Sequence, residues 1–240
     1  MKRLDVTLSS IGANLALDEA LLLDAEAGGP EVLRLWEWPS PAMVLGAAGR
    51  LALEIDEAAC RTDGVPIARR SSGGGTVLLG PGCLLFSVVL RFERDPALAD
   101  LHASYRFILG KLQRSLTPLL RTTEELVVVG VSDLALGVRK ISGNAQQRKR
   151  THLLHHGSLL HAFDAATVER YLRMPPRQPE YRLGRSHIEF MTNLPIECST
   201  LKTKVAEIWD ANEPMADWPA ELTNKLVREK YETAEWIHRR

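Results

Sequence analysis

The order of elements along the 240-residue chain predicts an α+β fold with a mixed or antiparallel sheet. Strand-like runs cluster in the middle of the chain, and helical patterns lie at its ends. Two of the central runs are joined by a short Gly80-Pro81-Gly82 turn, and Asp133–Gly137 and Val138–Ser142 read as a hairpin pair. Neither Gly-x-Gly-x-x-Gly after a strand nor Gly-x-x-x-x-Gly-Lys-[Ser/Thr] occurs, so the signatures of doubly wound nucleotide-binding domains are missing.

The elements follow in order. Residues 3–7 read as an edge strand. Residues 13–26 read as an amphipathic helix, with Ala13, Ala16, Leu17, Ala20 and Leu23 on one face and Gly28-Gly29-Pro30 ending it. Val32–Trp38 alternates apolar and polar side chains, as a half-buried strand does. Pro39-Ser40-Pro41 turns the chain into a strand at Met43–Leu45, and Asp56–Cys60 reads as a short helix closed by Gly64. Val65–Arg69, Thr76–Leu79 and Leu84–Leu90 read as strands, and Pro96–Leu120 carries the longest helical pattern. Glu125–Val131 is a β-branched strand, Leu153–Leu160 a strand broken by Gly157, and Ala165–Leu172 a short helix. Pro175–Glu189 is rich in proline and charge and reads as a loop or lid. Thr200–Trp209 and Pro219–Trp236 read as two closing helices.

Composition narrows the function classes. Thirty basic and thirty acidic residues cancel, so no global field steers the chain to nucleic acid or to a membrane surface, and neither is expected as a partner. Cys60, Cys83 and Cys198 lie far apart with no Cys-x-x-Cys pair. This is not zinc-site spacing, and an odd count opposes a disulfide framework. A reduced, cytoplasmic setting is the expectation. The N-terminus lacks the apolar stretch of a signal peptide, and no run is long enough to span a bilayer.

Three stretches carry chemistry. In the first, Arg69-Arg70-Ser71-Ser72 precedes Gly73-Gly74-Gly75-Thr76. Three successive glycines cost backbone entropy and contribute no packing, so a chain keeps them where a side chain would collide with something held against the backbone. Amides, hydroxyls and guanidinium forks together suit a phosphate or carboxylate. The second runs from Asp133 to Lys140-Ile141-Ser142-Gly143-Asn144-Ala145, where a strand lysine can aim one compact charge into a pocket. The third is His155-His156-Gly157-Ser158. Adjacent strand histidines point to opposite faces and cannot share one metal ion.

Taken together and in this order, these stretches resemble the lipoate–protein ligase A family, part of the wider group of biotin/lipoate ligases and octanoyltransferases. The family pattern is Arg-Arg-x-Ser-Gly-Gly-Gly, an Asp, Lys-[Ile/Val]-Ser-Gly-x-Ala and His-His-Gly-[Thr/Ser]-Leu-Leu. Here these fall at Arg69–Gly75, Asp133, Lys140–Ala145 and His155–Leu160. Asn14–Leu21 resembles the family's opening helix, and Thr192-Asn193-Leu194 the segment after its lid.

The resemblance implies the catalytic fold shared with class II tRNA synthetases and biotin ligases: one domain over 1–240, with a helical part at 196–240. It implies activation of lipoate or octanoate by ATP and Mg as an acyl-AMP. The acyl group then passes to a lysine of a lipoyl carrier domain, either the glycine-cleavage H protein or a 2-oxoacid dehydrogenase E2. By that resemblance Lys140 is the catalytic residue, holding the carbonyl and phosphate oxygens. Arg69, Arg70, Ser72, Gly73, Gly74, Gly75, Thr76, Ser142, Gly143, Ala145, His155, His156 and Gly157 form the binding site. Arg70 pairs with a ligand oxygen, and Asp133 positions the metal or the adenylate.

Three departures set up an alternative. Leu78-Leu79-Gly80-Pro81 stands where the family usually has His-Asp, and the stretch from Asp133 to Lys140 is short. The larger ligases carry a further C-terminal domain used in activation, for which this chain leaves no room. A separate accessory subunit, or ATP-independent transfer between carriers, would answer the last point. Octanoyltransferases of the superfamily use a cysteine nucleophile, either shortly upstream of the lysine motif or downstream in an Asn-Pro-Cys-Gly-like segment. Neither place holds a cysteine here, and Cys83 and Cys198 are expected to be structural.

Overall fold

The computed structural model describes residues 1–175 and 178–239. The order is β1 (Lys2–Leu4), α1 (Ile11–Glu26), β2 (Val32–Glu37), β3 (Ala42–Leu45), α2 (Leu51–Glu54), α3 (Glu57–Asp63), β4 (Ile67–Arg69), β5 (Val77–Leu79) and β6 (Cys83–Arg91). Then come α4 (Leu101–Leu116), β7 (Leu126–Val129), β8 (Asp133–Leu136), β9 (Arg139–Arg148), β10 (His152–Leu160), α5 (Ala166–Tyr171) and α6 (His187–Phe190). The chain closes with α7 (Cys198–Ile208), β11 (Glu213–Pro214), α8 (Ala220–Leu226), a π-turn over Val227–Tyr231, and α9 (Ala234–Ile237).

Eight strands form one mixed sheet in the order β11-β1-β2-β6-β10-β9-β8-β7, and three form a small sheet in the order β4-β3-β5. β1 pairs in parallel with β2 and β11, while β2, β6, β10, β9, β8 and β7 pair antiparallel in succession. The expected mixed sheet flanked by helices is therefore present.

One face of the large sheet packs on α4 and α7 through Phe86, Val88, Leu90, Ile108, Leu112, Leu201 and Trp209. The other faces α1 and the small sheet. Alternation along β6 sets this division: Leu84, Phe86, Val88 and Leu90 belong to the first core, and Cys83 and Leu85 to the second. Each fully buried Leu, Val or Phe contributes roughly 1.5–3 kcal/mol through removal of apolar area from water.

Several local expectations change. α1 is not a surface helix with one apolar stripe. It lies between layers, and Asn14, Asp18 and Glu19 are buried together with its leucines, whereas Ala13 and Leu23 are only partly buried. A helix covered on most sides loses its amphipathic pattern. β9 continues past Ser142 to Arg148, and β10 runs through Gly157 without a break. The glycine is needed because a Cβ there would collide with the Asn144 side chain of the neighbouring strand. The segment from Pro175 to Glu189 includes a helical turn at Glu180–Arg182 and the start of α6, which a Ser186/Glu189 capping box opens. Pro176 and Arg177 lie outside the described residues. The long closing helix is cut into α8, the π-turn and α9, because Thr233 caps a new start by accepting from the Trp236 amide. α3 follows expectation: Asp56 caps its start and Gly64 ends it at φ +67. Among the described residues no helix is long and apolar enough to cross a membrane.

His155 is a core residue. It packs against Phe86 and Tyr105 with ring centroids 5.9 and 5.4 Å away. Burial, with His156 adding to it, pushes its imidazole down to about 3, so it is neutral in the folded chain. Between about pH 3 and 6.5 the unfolded chain therefore binds a proton that the folded chain does not. The resulting stability is fully present above about 6.5 and is lost as pH falls towards 3, a loss on the order of a few kcal/mol. His155→Leu is expected to flatten that part of the stability-against-pH curve in urea titrations. An unchanged slope would show that His155 does not carry it.

Candidate functional site

The site lies where α1, the loop after β4, β8, β9 and β10 meet. An inner cavity of about 170 Å³ is walled on its apolar side by Leu15, Trp36, Val44, Val77, Leu79 and Leu85. Its polar side carries Asp18, Arg70, Asp133, Lys140 and His156. Past Lys140, Asp133 and Gly143 the space joins an outer cavity of about 600 Å³. There Tyr181, Arg182 and His187 of the expected lid, with Phe190 and Met191 just after it, form one wall.

The glycine loop is shaped from within. Arg70 is buried and spends four hydrogen bonds on its own neighbourhood: Nε to Ser72 Oγ (3.0 Å), Nη1 to Val44 O (3.3 Å), and Nη2 to Gly73 O (2.6 Å) and Gly75 O (2.8 Å). Burial pulls its guanidinium down to about 10, which leaves it charged at neutral pH. The sequence suggested that Arg70 grips a ligand oxygen, but its main work in the structure is to turn the loop's carbonyls inward. Gly74 takes φ +87, and Gly46 must be glycine because a Cβ there would strike the Gly74 carbonyl. Among the described residues no group accepts from the amides of Gly73, Gly74 or Gly75. With the carbonyls consumed and amides free, the loop suits an anion or a developing oxyanion.

A buried polar chain supports this loop. Ser72 Oγ lies 2.6 Å from His156 Nε2, and His156 Nδ1 lies 3.2 Å from Asp18 Oδ2. Asp18 also accepts from Ser87 Oγ (2.7 Å) and pairs with Arg34 Nη1 at 2.6 Å, with both side chains almost fully buried. Burial opposes the Asp18 charge, but Arg34, His156 and Ser87 outweigh it and hold the carboxyl below its ordinary range. An ionised Asp18 fixes the tautomer: His156 Nδ1–H donates to Asp18, and Nε2 accepts the Ser72 hydroxyl. Ser72 is 1% exposed, so this serine–histidine–aspartate chain acts as a brace and not as a nucleophile.

Lys140 and Asp133 face one another across the β8–β9 pair, where the register shifts between Leu134 and Ala135. Lys140 Nζ lies 2.9 Å from Asp133 Oδ1, and Tyr181 OH donates to Asp133 Oδ2 at 2.8 Å. Burial and Asp133 push the Tyr181 hydroxyl up, so it stays a donor. A Cβ on Gly143 would touch the end of the Lys140 side chain, so this glycine lets the lysine fold over it.

Of the residues singled out from sequence, Gly74, Gly75 and Thr76, then Gly143, Ala145 and Gly157, line the inner cavity beside Arg70, Asp133, Lys140 and His156. Ser142 lines the outer one, Ser72 sits behind Arg70, and Gly73 offers its carbonyl to Arg70. Two residues are placed elsewhere. His155 points into the opposite core, as strand alternation requires. Arg69 is fully buried, with its guanidinium bonded to the carbonyls of Gly46, Gly49, Trp236 and Ile237, so it fastens the C-terminal segment to β4. Asp133 is bonded through one oxygen to Lys140 and through the other to Tyr181.

Sequence reading missed Asp18, Arg34, Asn144 and Tyr181. The available signals were a carboxylate inside an apolar helix and an arginine inside an apolar strand. Among the described residues no cysteine lines either cavity. Cys83 lies against Ser158, which lines both cavities, and burial pushes its thiol up to about 12.

An apolar cavity that ends at a lysine–carboxylate pair and free loop amides, set on a mixed sheet with helices on both faces, defines an acyl-handling enzyme. The Lipoyl protein ligase A/B catalytic domain family matches residues 10–211, and the chain belongs to that family. It is 27% identical to an octanoyltransferase LipM of Moorella thermoacetica, over 99% of this chain and 97% of the relative. It is 26% identical to lipoate–protein ligase 1 of Staphylococcus aureus, over 95% of this chain and 70% of the relative. The fold matches that of a bipartite lipoate protein ligase from Thermoplasma acidophilum, solved with its E2 lipoyl domain. The TM-score is 0.80 at 21% identity, covering 99% of this chain and 96% of that one. A lipoate–protein ligase A bound with ATP gives a TM-score of 0.79 at 22% identity, covering 99% of each chain.

Proposed function

We propose that the chain is a lipoate- or octanoate–protein ligase, which activates the acid as an acyl-AMP and passes the acyl group to a lysine of a lipoyl carrier domain. The observation that carries this is the junction at Lys140. There an apolar cavity meets free glycine amides and a second, larger cavity, and none of the described thiols lines either cavity. The inner cavity takes the acyl tail. At about 0.8 kcal/mol per methylene a C8 tail supplies roughly 5 kcal/mol, weaker than micromolar, so contacts to the activated head must add to the grip. The outer cavity, within the usual range for small-molecule sites, takes the nucleotide part.

In the transfer step the carrier lysine nitrogen attacks the acyl carbon. The new C–N bond forms, the bond to the phosphate oxygen breaks, negative charge moves through the carbonyl oxygen onto the leaving AMP, and the attacking nitrogen gives up one proton to solvent. Lys140 and the Gly74 and Gly75 amides surround that oxygen. Asp133 and Tyr181 hold Lys140 in place. The T. acidophilum ligase solved with its E2 lipoyl domain supports a carrier of that kind.

The second reading is ATP-independent transfer of an octanoyl group between carriers, favoured by the nearly full-length match to octanoyltransferase LipM sequences. Mass spectrometry of an E2 lipoyl domain separates the two. Incubation with octanoate or lipoate is expected to give acyl addition only with ATP, and equally with Cys83→Ala. Acyl transfer from an octanoylated carrier without ATP, lost in Cys83→Ala, would overturn the ligase reading.

A further inference from the structure

Outside the cavity linings, three side chains from distant parts of the chain converge at one end of the large sheet. Glu37 ends β2, His161 follows β10, and Cys198 is the first residue of α7. Their donor atoms all lie within 4.8 Å of one another. Cys198 Sγ is 2.9 Å from Glu37 Oε1, and His161 Nε2 is 3.9 Å from the same oxygen. The geometry points to a divalent transition-metal site here, of the Zn²⁺ or Co²⁺ class, that ties β2, β10 and α7 together.

Four features support it. First, the donor set is one imidazole nitrogen, one sulfur and one carboxylate oxygen. This mixture suits Zn²⁺ and Co²⁺ and not the hard oxygen-seeking cations. Second, the spacing is right: metal–ligand bonds of about 2.0–2.3 Å in a tetrahedron put ligand atoms roughly 3.5 Å apart. Third, His161 Nε2 is buried and has no hydrogen-bond partner among the described residues, although it faces Glu37. Buried ring nitrogens are normally satisfied, so an unpaired one aimed at a carboxylate and a thiol calls for a ligand. Fourth, Lys202, one turn along α7 from Cys198, holds the other Glu37 oxygen at 2.7 Å. That leaves Oε1 for the metal and orients it, as hydrogen bonds to metal-ligating carboxylates commonly do.

A thiol–carboxylate–ammonium cluster without metal would account for Cys198, Glu37 and Lys202, but it leaves His161 unexplained. Metal entry breaks the Cys198 S–H bond, the proton passes to solvent, and the Sγ–metal bond replaces it. Glu37, whose side chain is 42% exposed, gives access from solvent, and a water completes the four-coordinate shell. None of the three ligands lines either cavity, so the role of the site is to fix the end of the strand that carries His156, Gly157 and Ser158.

The test uses the full chain, freed of any affinity tag and stripped with chelator, titrated with Co²⁺ as the probe. A thiolate-to-cobalt charge-transfer band in the near ultraviolet and intensified visible bands are expected, saturating at one equivalent and lost on adding Zn²⁺. Cys198→Ser should abolish the charge-transfer band, and His161→Gln should weaken binding at least tenfold to a hundredfold. Lys202→Met keeps all three ligands and should retain the band. Circular dichroism checks that each variant is folded, and the wild-type titration decides the matter without any variant. No saturable band in the wild-type chain, or a band undiminished in folded Cys198→Ser, would overturn the assignment.

Discussion

Lys140→Ala is expected to lower kcat for carrier modification about 10²–10³-fold, the range measured when one donor to a developing oxyanion is removed. The loss should fall on kcat more than on the KM for octanoate, because the tail is held by Leu15, Trp36, Val44 and Leu85 at the far end of the cavity. Stability should hardly move. Lys140 is 27% exposed and its ion pair with Asp133 is partly solvated, so the pair contributes no more than about 1 kcal/mol, and Asp133 keeps the Tyr181 hydrogen bond. Lys140→Arg should not restore activity, since a planar fork cannot occupy the place of a compact ammonium folded over Gly143. Steady-state kinetics with a lipoyl-domain acceptor and a thermal melt of each variant check both parts. Activity within threefold of wild type would remove Lys140 from the chemistry.

The largest stability effect is expected at Asp18. Asp18→Ala strands the Arg34 guanidinium, which is fully buried, and removes the acceptors of His156 and Ser87 together. Breaking a buried pair from one side typically costs about 3–5 kcal/mol. That is a large fraction of the stability of an ordinary domain. The double variant Asp18→Leu/Arg34→Met, which removes both charges, should recover much of that loss. It should not recover activity, because His156 would still lack the carboxylate that fixes its tautomer, and Ser72 and Arg70 would lose their brace. Urea titration and kinetics on the same three proteins separate stability from positioning. A double variant with full activity would show that the chain from Asp18 to Ser72 does not shape the glycine loop.

Much of this protein is visible in local sequence, and for local reasons. Asp56 and Gly64 bracket α3 because a cap side chain and a left-handed glycine act within one turn. Alternation in Leu84–Leu90 assigns two faces to β6, because the strand repeat is two residues. The same repeat says that His155 and His156 must part company, but not which of them meets the cavity. The neighbouring strand β6 and the helix α4 decide that, by placing Phe86 and Tyr105 against the first. The lid shows the same limit: its proline and charge content suggests a loop, while Ser186 and Glu189 cap a helix inside it and Tyr181 reaches Asp133.

The sequence alone determined the α+β class, the glycine loop, the lysine beside it and the family these belong to. Each of these is written in contiguous residues. The tertiary structure decided what those residues do. Arg69 and Arg70 are neighbours in sequence, yet one fastens the C-terminal segment and the other shapes the loop from inside. Asp18 reaches His156 across 138 positions, and Glu37 meets Cys198 across 161. Such pairings depend on sheet register and helix docking, which many distant apolar contacts fix together, so no local pattern records them.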